Sequence, residues 1–292
     1  MKINQLRAKS HYRQAQNCPV FLFLFLIKQI TNAQSNTLIE AGSVSDDIVK
    51  TLAQKLTQNI LTDSLKVIAF YDWITQNIRY DHQFLRREEG DTTLYQEPEQ
   101  VIVRKKAVCI GYAKLMKALC DTVKIRAVVV EGYIKQNGAL QNEAHAWNAV
   151  QFGKNWHLLD PTWGATSSFT YKTHLFPTPS VFVENHLPYD PIWQLSNAPI
   201  SFSCFSEKQN CQTDKKDNFN FKDSINNWLS MPYLEQLGNR GARILALNPD
   251  DFNGLQIMAD FYGKNAQAFF GKYALMRVEL TQKNAPKPTF PP

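Results

Sequence analysis

Residues 145–164 read HAWNAVQFGKNWHLLDPTWG, the pattern of two short strands joined by a tight turn. β-branched and aromatic residues predict the strands at residues 145–152 and 156–160. Gly153 and Lys154 between them fit a two-residue turn, with glycine at the first position as a type II′ turn requires. The stretch therefore predicts a β-hairpin.

The register of this hairpin decides whether His145 and Asp160 meet. With a two-residue turn, residue 147 opposes 160, so His145 is the diagonal neighbour of Asp160, about 7–8 Å away between backbones. A turn shifted back by one residue sets the two directly opposite each other. A three-residue loop or a bulge places them on opposite faces. Two of these registers bring the imidazole and the carboxylate together, and Trp147 shares their face.

Upstream, residues 108–121 have the apolar spacing of a helix, with Cys109 in its first turn. A helix N-terminus favours a thiolate because its dipole and free N–H groups stabilise negative charge. A histidine can take the thiol proton, and a carboxylate can orient that histidine. Gly111 leaves room for the close approach of a substrate or a neighbouring chain. The order Cys109, His145, Asp160 therefore predicts an acyl-transfer site.

Each of these three residues also has a structural interpretation. A single cysteine is more often a core thiol, a strand histidine is usually hydrogen-bonded in the core, and an aspartate before proline commonly lies in a turn. Four further histidines compete with His145 as the base, namely His82, His157, His174 and His186. His157 is predicted on the strand face opposite Asp160, and His186 belongs to a motif interpreted as structural.

Several motifs make the chain resemble the transglutaminase-like cysteine peptidase superfamily, in particular its kyphoscoliosis-peptidase and cytokinesis-protein branch. The motifs lie between about residues 65 and 205 and read WITQNIRYD (73–81), CIGYA (109–113), HAWNAV (145–150), WHLLDPTWGA (156–165) and HLPYDPIWQL (186–195). The resemblance implies an α+β fold with a papain-like transglutaminase core, in which the helix bearing Cys109 packs on an antiparallel sheet. A helical pattern from about Ser224 adds a C-terminal helical extension.

The resemblance also implies a chemistry. Cys109 would be the nucleophile, His145 the base and Asp160 the residue that orients the base. An acyl group would pass from a glutamine amide or a peptide carbonyl of a protein or peptide substrate, through a thioester, to an amine or to water. This chemistry requires no cofactor. The sequence does not choose between hydrolysis and transfer.

Two other functions stay open. Some members of the superfamily have lost activity and serve as scaffolds, so the chain could be an inactive binding protein. The same triad can also attack the amide of a glycosylated asparagine, which would make the chain a peptide-N-glycanase-like amidase. The second oxyanion donor, beside the Cys109 N–H, is not assigned. Trp73 and Tyr80 are candidates, although the spacing of Trp73 from its apolar neighbours favours core packing.

The patterns divide the chain into four segments. These are a signal peptide at 1–33, a transglutaminase-like core at 36–215, a helical C-terminal region at 216–285 and a disordered tail at 286–292. Within the core, the polar and charged residues 81–104 predict a long loop that leads to Cys109. In the C-terminal region, the helical pattern over residues 252–262 resumes at residue 266, which predicts two separate helices.

The first segment has the pattern of an export signal. Five basic residues and no acidic residue lie within residues 1–33, which also contain an apolar run of eight at 20–27. Thr31 and Ala33 are small residues that suit a cleavage site. The pattern predicts export to the periplasm or the cell exterior, with a buried strand or helix as the alternative. The run is too short to span a bilayer, so no stable membrane insertion is predicted.

The other cysteines are predicted to be structural. Cys204 and Cys211 are close enough in sequence to close a disulfide loop in an oxidising compartment, with two unpaired thiols as the alternative. Cys120 lies three helical turns after Cys109 and is predicted to be a packed core thiol.

Composition excludes several other classes of function. The formal net charge is +6 over 292 residues, but removing the five basic residues of the first segment from the total of 32 leaves 27 against 26 acidic residues. A near-neutral body without a basic stripe makes nucleic acid an unsuitable partner. No cysteine or histidine pair has metal-ligand spacing, and no glycine-rich phosphate loop is present. The sequence does not predict an oligomeric state.

Overall fold

The computed structural model describes residues 47–84, 93–166, 171–207 and 219–283. These residues form two compact units. The first comprises residues up to 131 together with 143–182, and the second comprises 132–142 together with the residues from 183 onward. Cys109, His145 and Asp160 all belong to the first unit.

The first unit is built from helices and short 3₁₀ turns around a small sheet. Its helices are α1 (Asp47–Thr57), α2 (Asp63–Asn77), α3 (Pro98–Arg104), α4 (Cys109–Thr122), α5 (Pro161–Thr166) and α6 (Pro179–Phe182). Its 3₁₀ turns are Thr93–Gln96 and Tyr171–His174. In α1, Val49, Leu52 and Leu56 recur at helical spacing and are buried, so one face of this helix packs into the core.

The strands of the first unit position the candidate site. They are β1 (Arg79–Tyr80), β2 (Lys106–Ala107), the first half of β3 (Arg126–Gln136), β5 (His145–Phe152) and β6 (Asn155–Leu159). The short strands β1 and β2 pair in parallel, so Tyr80 lies beside Ala107, two residues before Cys109. Strand β5 lies between β3 and β6 and pairs with β6 antiparallel.

Helix α4 packs on this sheet through the hydrophobic core of the first unit. Its buried face presents Tyr112, Leu115, Met116 and Leu119, and the core also contains Val150 of β5. A polar contact supplements this packing, because the buried Asn148 of β5 donates from Nδ2 to the carbonyl of Ala113 at 2.9 Å. The helix that carries Cys109 is therefore held against β5, the strand that begins at His145.

The second unit continues from β3. Residues 132–134 pair antiparallel with β7 (His186–Pro188), and residues 135–136 pair with β4 (Ala139–Leu140). Asn137 and Gly138 join β3 to β4 and both have positive φ, as a type I′ turn requires. The helices of this unit are α7 (Phe202–Glu207), α8 (Phe221–Ser230), α9 (Tyr233–Leu247) and α10 (Phe252–Lys283).

A buried ion pair ties α9 to the 3₁₀ turn Pro191–Gln194 within the second unit. The Arg243 guanidinium donates to both carboxylate oxygens of Asp190, at 2.9 and 2.6 Å. The same carboxylate accepts the N–H of Ile192 and so caps the turn. A bidentate pair of this kind fixes both orientation and distance.

The α+β prediction is confirmed, with a cysteine-bearing helix on an antiparallel sheet and helices at the C-terminal end. Two local predictions are wrong. Residues 93–104 are not a loop but a 3₁₀ turn followed by α3, because Pro98 occupies the first turn of a helix, where its missing N–H costs nothing. Helix α10 also runs through Gly263 without a break, since one glycine costs a helix only about 1 kcal/mol.

Some predictions fall outside the described residues, namely the signal peptide at 1–33, the tail at 286–292 and Cys211. Cys204 is disulfide-bonded. Cys120 is fully buried beside Met116, and burial raises the pKa of its thiol to about 12, so the prediction of a packed core thiol is confirmed. Among the described helices, none combines the length and the apolar character that crossing a membrane requires.

Candidate active site

Cys109 is the first residue of α4, where a helix has backbone N–H groups without intrahelical acceptors. Val108, the residue before it, has extended backbone and contributes no side-chain cap. The hydroxyl of the buried Tyr112 donates to the Ile78 carbonyl at 2.8 Å and fixes the first turn of α4 against the end of α2. Cys109 is partly exposed. Its thiol thus lies at the positive end of a helix whose first turn is held in place.

The hairpin of β5 and β6 has the two-residue register. Phe152 opposes Asn155 and Asn148 opposes Leu159, so Gly153 and Lys154 form the turn, and Gly153 has a φ of +61°. This register places His145 and Asp160 on one face as diagonal neighbours. His145 Nε2 lies 2.8 Å from Asp160 Oδ2, and both side chains are buried.

Asp160 has two functions in the fold. One carboxylate oxygen faces His145, and the other accepts the backbone N–H groups of Thr162 and Trp163 at 2.8 and 3.2 Å. Asp160 is thus the N-cap of α5, and Pro161 is the first residue of that helix. The turn interpretation of Asp160 is confirmed, and its carboxylate also lies where the site interpretation requires it. The cap also fixes the carboxylate in the orientation that His145 needs.

His145 is held as an imidazolium. Burial alone lowers its pKa, but the charge of Asp160, the hydrogen bond to Asp160, and the hydrogen bond and charge of Cys109 outweigh burial and raise the pKa to about 10. Because Nε2 is engaged by Asp160, Nδ1 is the ring nitrogen left for Cys109. The three predicted site residues are therefore brought together in the first unit.

This raised pKa predicts a pH dependence of stability. A histidine whose pKa is about 10 in the folded state and 6.5 in the unfolded state contributes stability that is complete below pH 6.5 and is lost as pH rises through 10. The free energy of unfolding should fall as pH rises from about 8.5, where the cysteine of the unfolded chain is ionised as well, to 10, by up to about 1.4 kcal/mol per pH unit. Urea unfolding at several pH values checks this, with His145→Gln as the comparison. Equal slopes in the two proteins would contradict the assignment.

Two indole rings flank the His145 imidazole. The ring of Trp147 lies 6.1 Å from it and that of Trp163 lies 5.8 Å from it, measured between centroids. Trp147 is fully buried and packs edge-on against Phe182, at 5.7 Å between centroids. Trp147 thus lies on the same face as His145, as the register of the hairpin predicts, and the imidazole between the two rings is buried.

The competing histidines have other contacts. The His82 ring lies tilted against Tyr80, the His157 ring stacks on Phe152, and His186 Nδ1 is hydrogen-bonded to Asn185 Oδ1 at 2.6 Å. His174 is near the site, since its carbonyl accepts the Asp160 N–H at 2.9 Å and its ring meets Trp163 edge-on. Burial lowers the pKa of His174, so its ring is neutral at neutral pH.

The two candidates for a second oxyanion donor differ in position. Trp73 is buried in the core of α2, and the ammonium of Lys105 lies over its ring at 4.1 Å. Tyr80 is half-buried, and burial, followed by the charge of Cys109, raises the pKa of its phenol to about 12. The phenol of Tyr80 therefore lies within the electrostatic field of the thiol.

Sequence reasoning missed Gln96. This residue ends the 3₁₀ turn within the segment interpreted as a loop, and its Oε1 accepts the Val108 N–H at 3.0 Å. It is one of the most deeply buried polar residues of the first unit. Pro98 was a signal for the start of α3, since proline is favoured in the first turn of a helix, but it gave no signal for the burial of Gln96.

Comparison with known proteins agrees with this geometry. Residues 50–161, which contain all three site residues, match the model of the transglutaminase-like superfamily. Kyphoscoliosis peptidase of Mus musculus is 32% identical over 199 residues, which cover 63% of this chain and 29% of that protein. The Homo sapiens protein of the same name is 34% identical over 182 residues, which cover 57% of this chain and 26% of that protein.

One solved structure, a TGase, is 21% identical with a TM-score of 0.36, and the match covers 52% of this chain and 42% of that one. The chain spans less than a third of the length of each of the two kyphoscoliosis peptidases. The segment that carries Cys109, His145 and Asp160, residues 50–161, is therefore similar to the transglutaminase-like superfamily.

Proposed function

We propose that the chain is a cysteine enzyme that acts on amide bonds of protein or peptide substrates through a Cys109 thioester. The observation that carries this proposal is the buried His145–Asp160 pair, joined at 2.8 Å and in contact with a thiol at a helix N-terminus. An imidazolium beside the sulfur favours the thiolate, which is the nucleophilic form of cysteine.

The first half of the reaction forms the thioester. The Cys109 thiolate attacks the amide carbonyl carbon, a C–S bond forms, and the carbonyl oxygen becomes an oxyanion. The His145 imidazolium then gives its proton to the amide nitrogen, the C–N bond breaks, and the amine leaves. Asp160 keeps its negative charge and holds the imidazole through Nε2.

The second half releases the acyl group. Water or an amine attacks the thioester carbonyl and passes a proton to the neutral His145. The C–S bond breaks, and the Cys109 thiolate and the imidazolium are restored. Attack by water gives a carboxylic acid, and attack by an amine gives a new amide. Hydrolysis and acyl transfer are both part of the proposal, because Cys109, His145 and Asp160 would have the same roles in each reaction.

The choice of a peptide substrate is supported by the relatives, which are named kyphoscoliosis peptidase. We also propose that the protein is exported. Support for export comes from the basic and apolar pattern of residues 1–33 and from the disulfide at Cys204, a bond that suits an oxidising compartment. N-terminal sequencing of the protein recovered outside the cytoplasm tests this, and a protein that begins at Met1 would contradict it.

The proposed chemistry is tested by thiol labelling at neutral pH. Iodoacetamide should modify Cys109 at least tenfold faster than a free cysteine, whose pKa is about 8.5. Cys120 is an internal control, since it is fully buried and its raised pKa of about 12 keeps it protonated. Peptide mapping of the labelled, folded protein assigns the modified cysteine. Labelling of Cys109 at the rate of an ordinary thiol would favour a non-enzymatic scaffold.

Activity is tested with panels of peptides and amines. We expect release of an amine or formation of a new amide, and complete loss of both in Cys109→Ala. Turnover that persists in Cys109→Ala would exclude the thioester mechanism. A product of hydrolysis alone, or of transfer alone, would define which acceptor the enzyme uses.

A further inference from the structure

We propose that Gln96 supplies the second hydrogen-bond donor to the oxyanion, beside the backbone N–H of Cys109. This inference rests on the proposed function and names a further catalytic residue for it. Three observations support it: the orientation of the Gln96 amide, the absence of a partner for its nitrogen among the described residues, and its place against the first turn of α4.

A backbone group fixes the orientation of the amide. Gln96 Oε1 accepts the N–H of Val108 at 3.0 Å, and an N–H group cannot pair with an amide nitrogen, which only donates. Oε1 must therefore face Val108, and Nε2 must point elsewhere with both of its hydrogens available as donors.

Nε2 has no hydrogen-bond partner among the described residues, although Gln96 is only 2% exposed. A buried donor that is left unpaired costs about 1–3 kcal/mol. A side chain that served only to accept the Val108 N–H would not need this second group. An unpaired buried donor is the feature expected of a group that finds its acceptor when substrate binds.

The amide lies against the turn that begins with Cys109. Gln96 Oε1 contacts Val108 on one side of Cys109, and it lies 2.5 Å from the position that a Cβ on Gly111 would occupy on the other side. Gly111 thus makes room for the Gln96 amide, which agrees with the prediction that this glycine permits a close approach. The unpaired nitrogen is attached to the same carbon as Oε1, so it lies beside the same first turn.

Nε2 is covered by surrounding atoms, so the proposal includes a small movement. The last torsion of a glutamine side chain is soft and has no sharp minima. The proposal requires a rotation about this bond that brings one Nε2 hydrogen to the acyl oxygen of a bound substrate and keeps the Val108 N–H on Oε1, with the backbone of the 3₁₀ turn in place. Hydrogen bonding to a developing oxyanion strengthens in the transition state and repays the cost of the unpaired donor.

The test compares two reactions of Cys109. Acylation by 4-nitrophenyl acetate passes through an oxyanion, whereas alkylation by iodoacetamide does not. The ratio of the two rate constants therefore reports oxyanion stabilisation and cancels changes in the amount of thiolate. Gln96→Glu keeps the acceptor for Val108 and removes the donor, and Gln96→Met removes both. Tyr80→Phe is measured in parallel, because its phenol is the rival donor.

We expect the ratio of acylation to alkylation to fall about 10²-fold in both Gln96 variants and to stay within threefold of wild type in Tyr80→Phe. A Gln96→Glu protein with the wild-type ratio would overturn the assignment, as would a loss confined to Tyr80→Phe. A parallel loss of both rates would show that Gln96 only positions Cys109 and would also overturn it. Thermal melting of each variant identifies any that is unfolded. If one of the two Gln96 variants is unfolded, the ratio of acylation to alkylation in the other tests the assignment.

The proposed function has a separate signature in this experiment. A wild-type protein that is alkylated slowly and is not acylated contradicts the thioester chemistry itself. A wild-type protein that is acylated rapidly, with Gln96 variants that match it, contradicts only the role of Gln96.

Discussion

Replacing Asp160 with asparagine is expected to slow the acylation of Cys109 by a factor of about 10³–10⁴ at neutral pH. The reason is that the two oxygens of the Asp160 carboxylate have different hydrogen-bond partners. The N–H groups of Thr162 and Trp163 require an oxygen at one position, so the asparagine amide must place its nitrogen opposite His145 Nε2. Nε2 then becomes an acceptor, and the ring proton moves to Nδ1, the nitrogen that must accept the thiol proton.

The substitution also removes the charge that opposes burial in setting the pKa of His145. The imidazole becomes neutral at neutral pH, and the thiolate loses its stabilising cation. Iodoacetamide labelling over a range of pH values therefore shows a second effect, since the labelling of Cys109 in Asp160→Asn should require a higher pH than in wild type.

Asp190→Asn is the matched control for this variant. Asp190 is equally buried, caps a 3₁₀ turn and pairs with Arg243, but it belongs to the second unit. Asp190→Asn should lower the melting temperature and leave the acylation of Cys109 within twofold of wild type. An Asp160→Asn protein that is folded and acylated at the wild-type rate would refute the proposed role of Asp160.

Gly164→Ala should destabilise the first unit by about 3 kcal/mol. A Cβ at this position would overlap the Tyr71 hydroxyl and lie 2.7 Å from Tyr71 Cζ and 3.0 Å from Thr75 Cγ2. Tyr71 is fully buried in α2, and its hydroxyl donates to the Asp160 carbonyl at 3.3 Å. Neither the Tyr71 side chain nor the turn of α5 that contains Gly164 can move without loss of packing or of this hydrogen bond. The substitution therefore also disturbs the position of Asp160.

Urea unfolding measures this effect, with Gly263→Ala as the control. Gly263 is also helical, but no described atom outside its own stretch of helix lies within 4 Å of a Cβ built on it, so alanine should leave stability unchanged or raise it by up to about 1 kcal/mol. Adding Tyr71→Phe to Gly164→Ala should recover part of the loss, because the hydroxyl is then absent. Equal stabilities of the two alanine variants would contradict the packing argument.

The hairpin shows why part of the site could be predicted from sequence. Turn chemistry at Gly153 and Lys154 sets the register, and a strand has a strict period of two, so local rules determine which faces His145 and Asp160 occupy. The position of Cys109 at a helix start also follows from local apolar spacing. Their roles in catalysis remain predictions, since the geometry shows proximity and not reactivity.

Gln96 could not be predicted because its environment is set by distant residues. Its polar neighbours in sequence suggest a loop, and its burial depends on contact with the start of α4, where its Oε1 accepts the Val108 N–H. The prediction of two helices in place of α10 failed for a related reason. The intrinsic cost of Gly263 is small, and the residues on both sides supply the remaining helical stability.

The pairing of β5 with β6 determines where this part of the gene can change in length. One residue inserted within β6, with the turn unchanged, would reverse the side on which the later side chains of that strand project, and the carboxylate of Asp160 would leave the imidazole. Residues inserted at Gly153 and Lys154 instead lengthen the loop and leave the pairing of the two strands intact. Evolution can therefore vary the spacing between His145 and Asp160 at the loop, whereas a single insertion within a strand requires a compensating bulge.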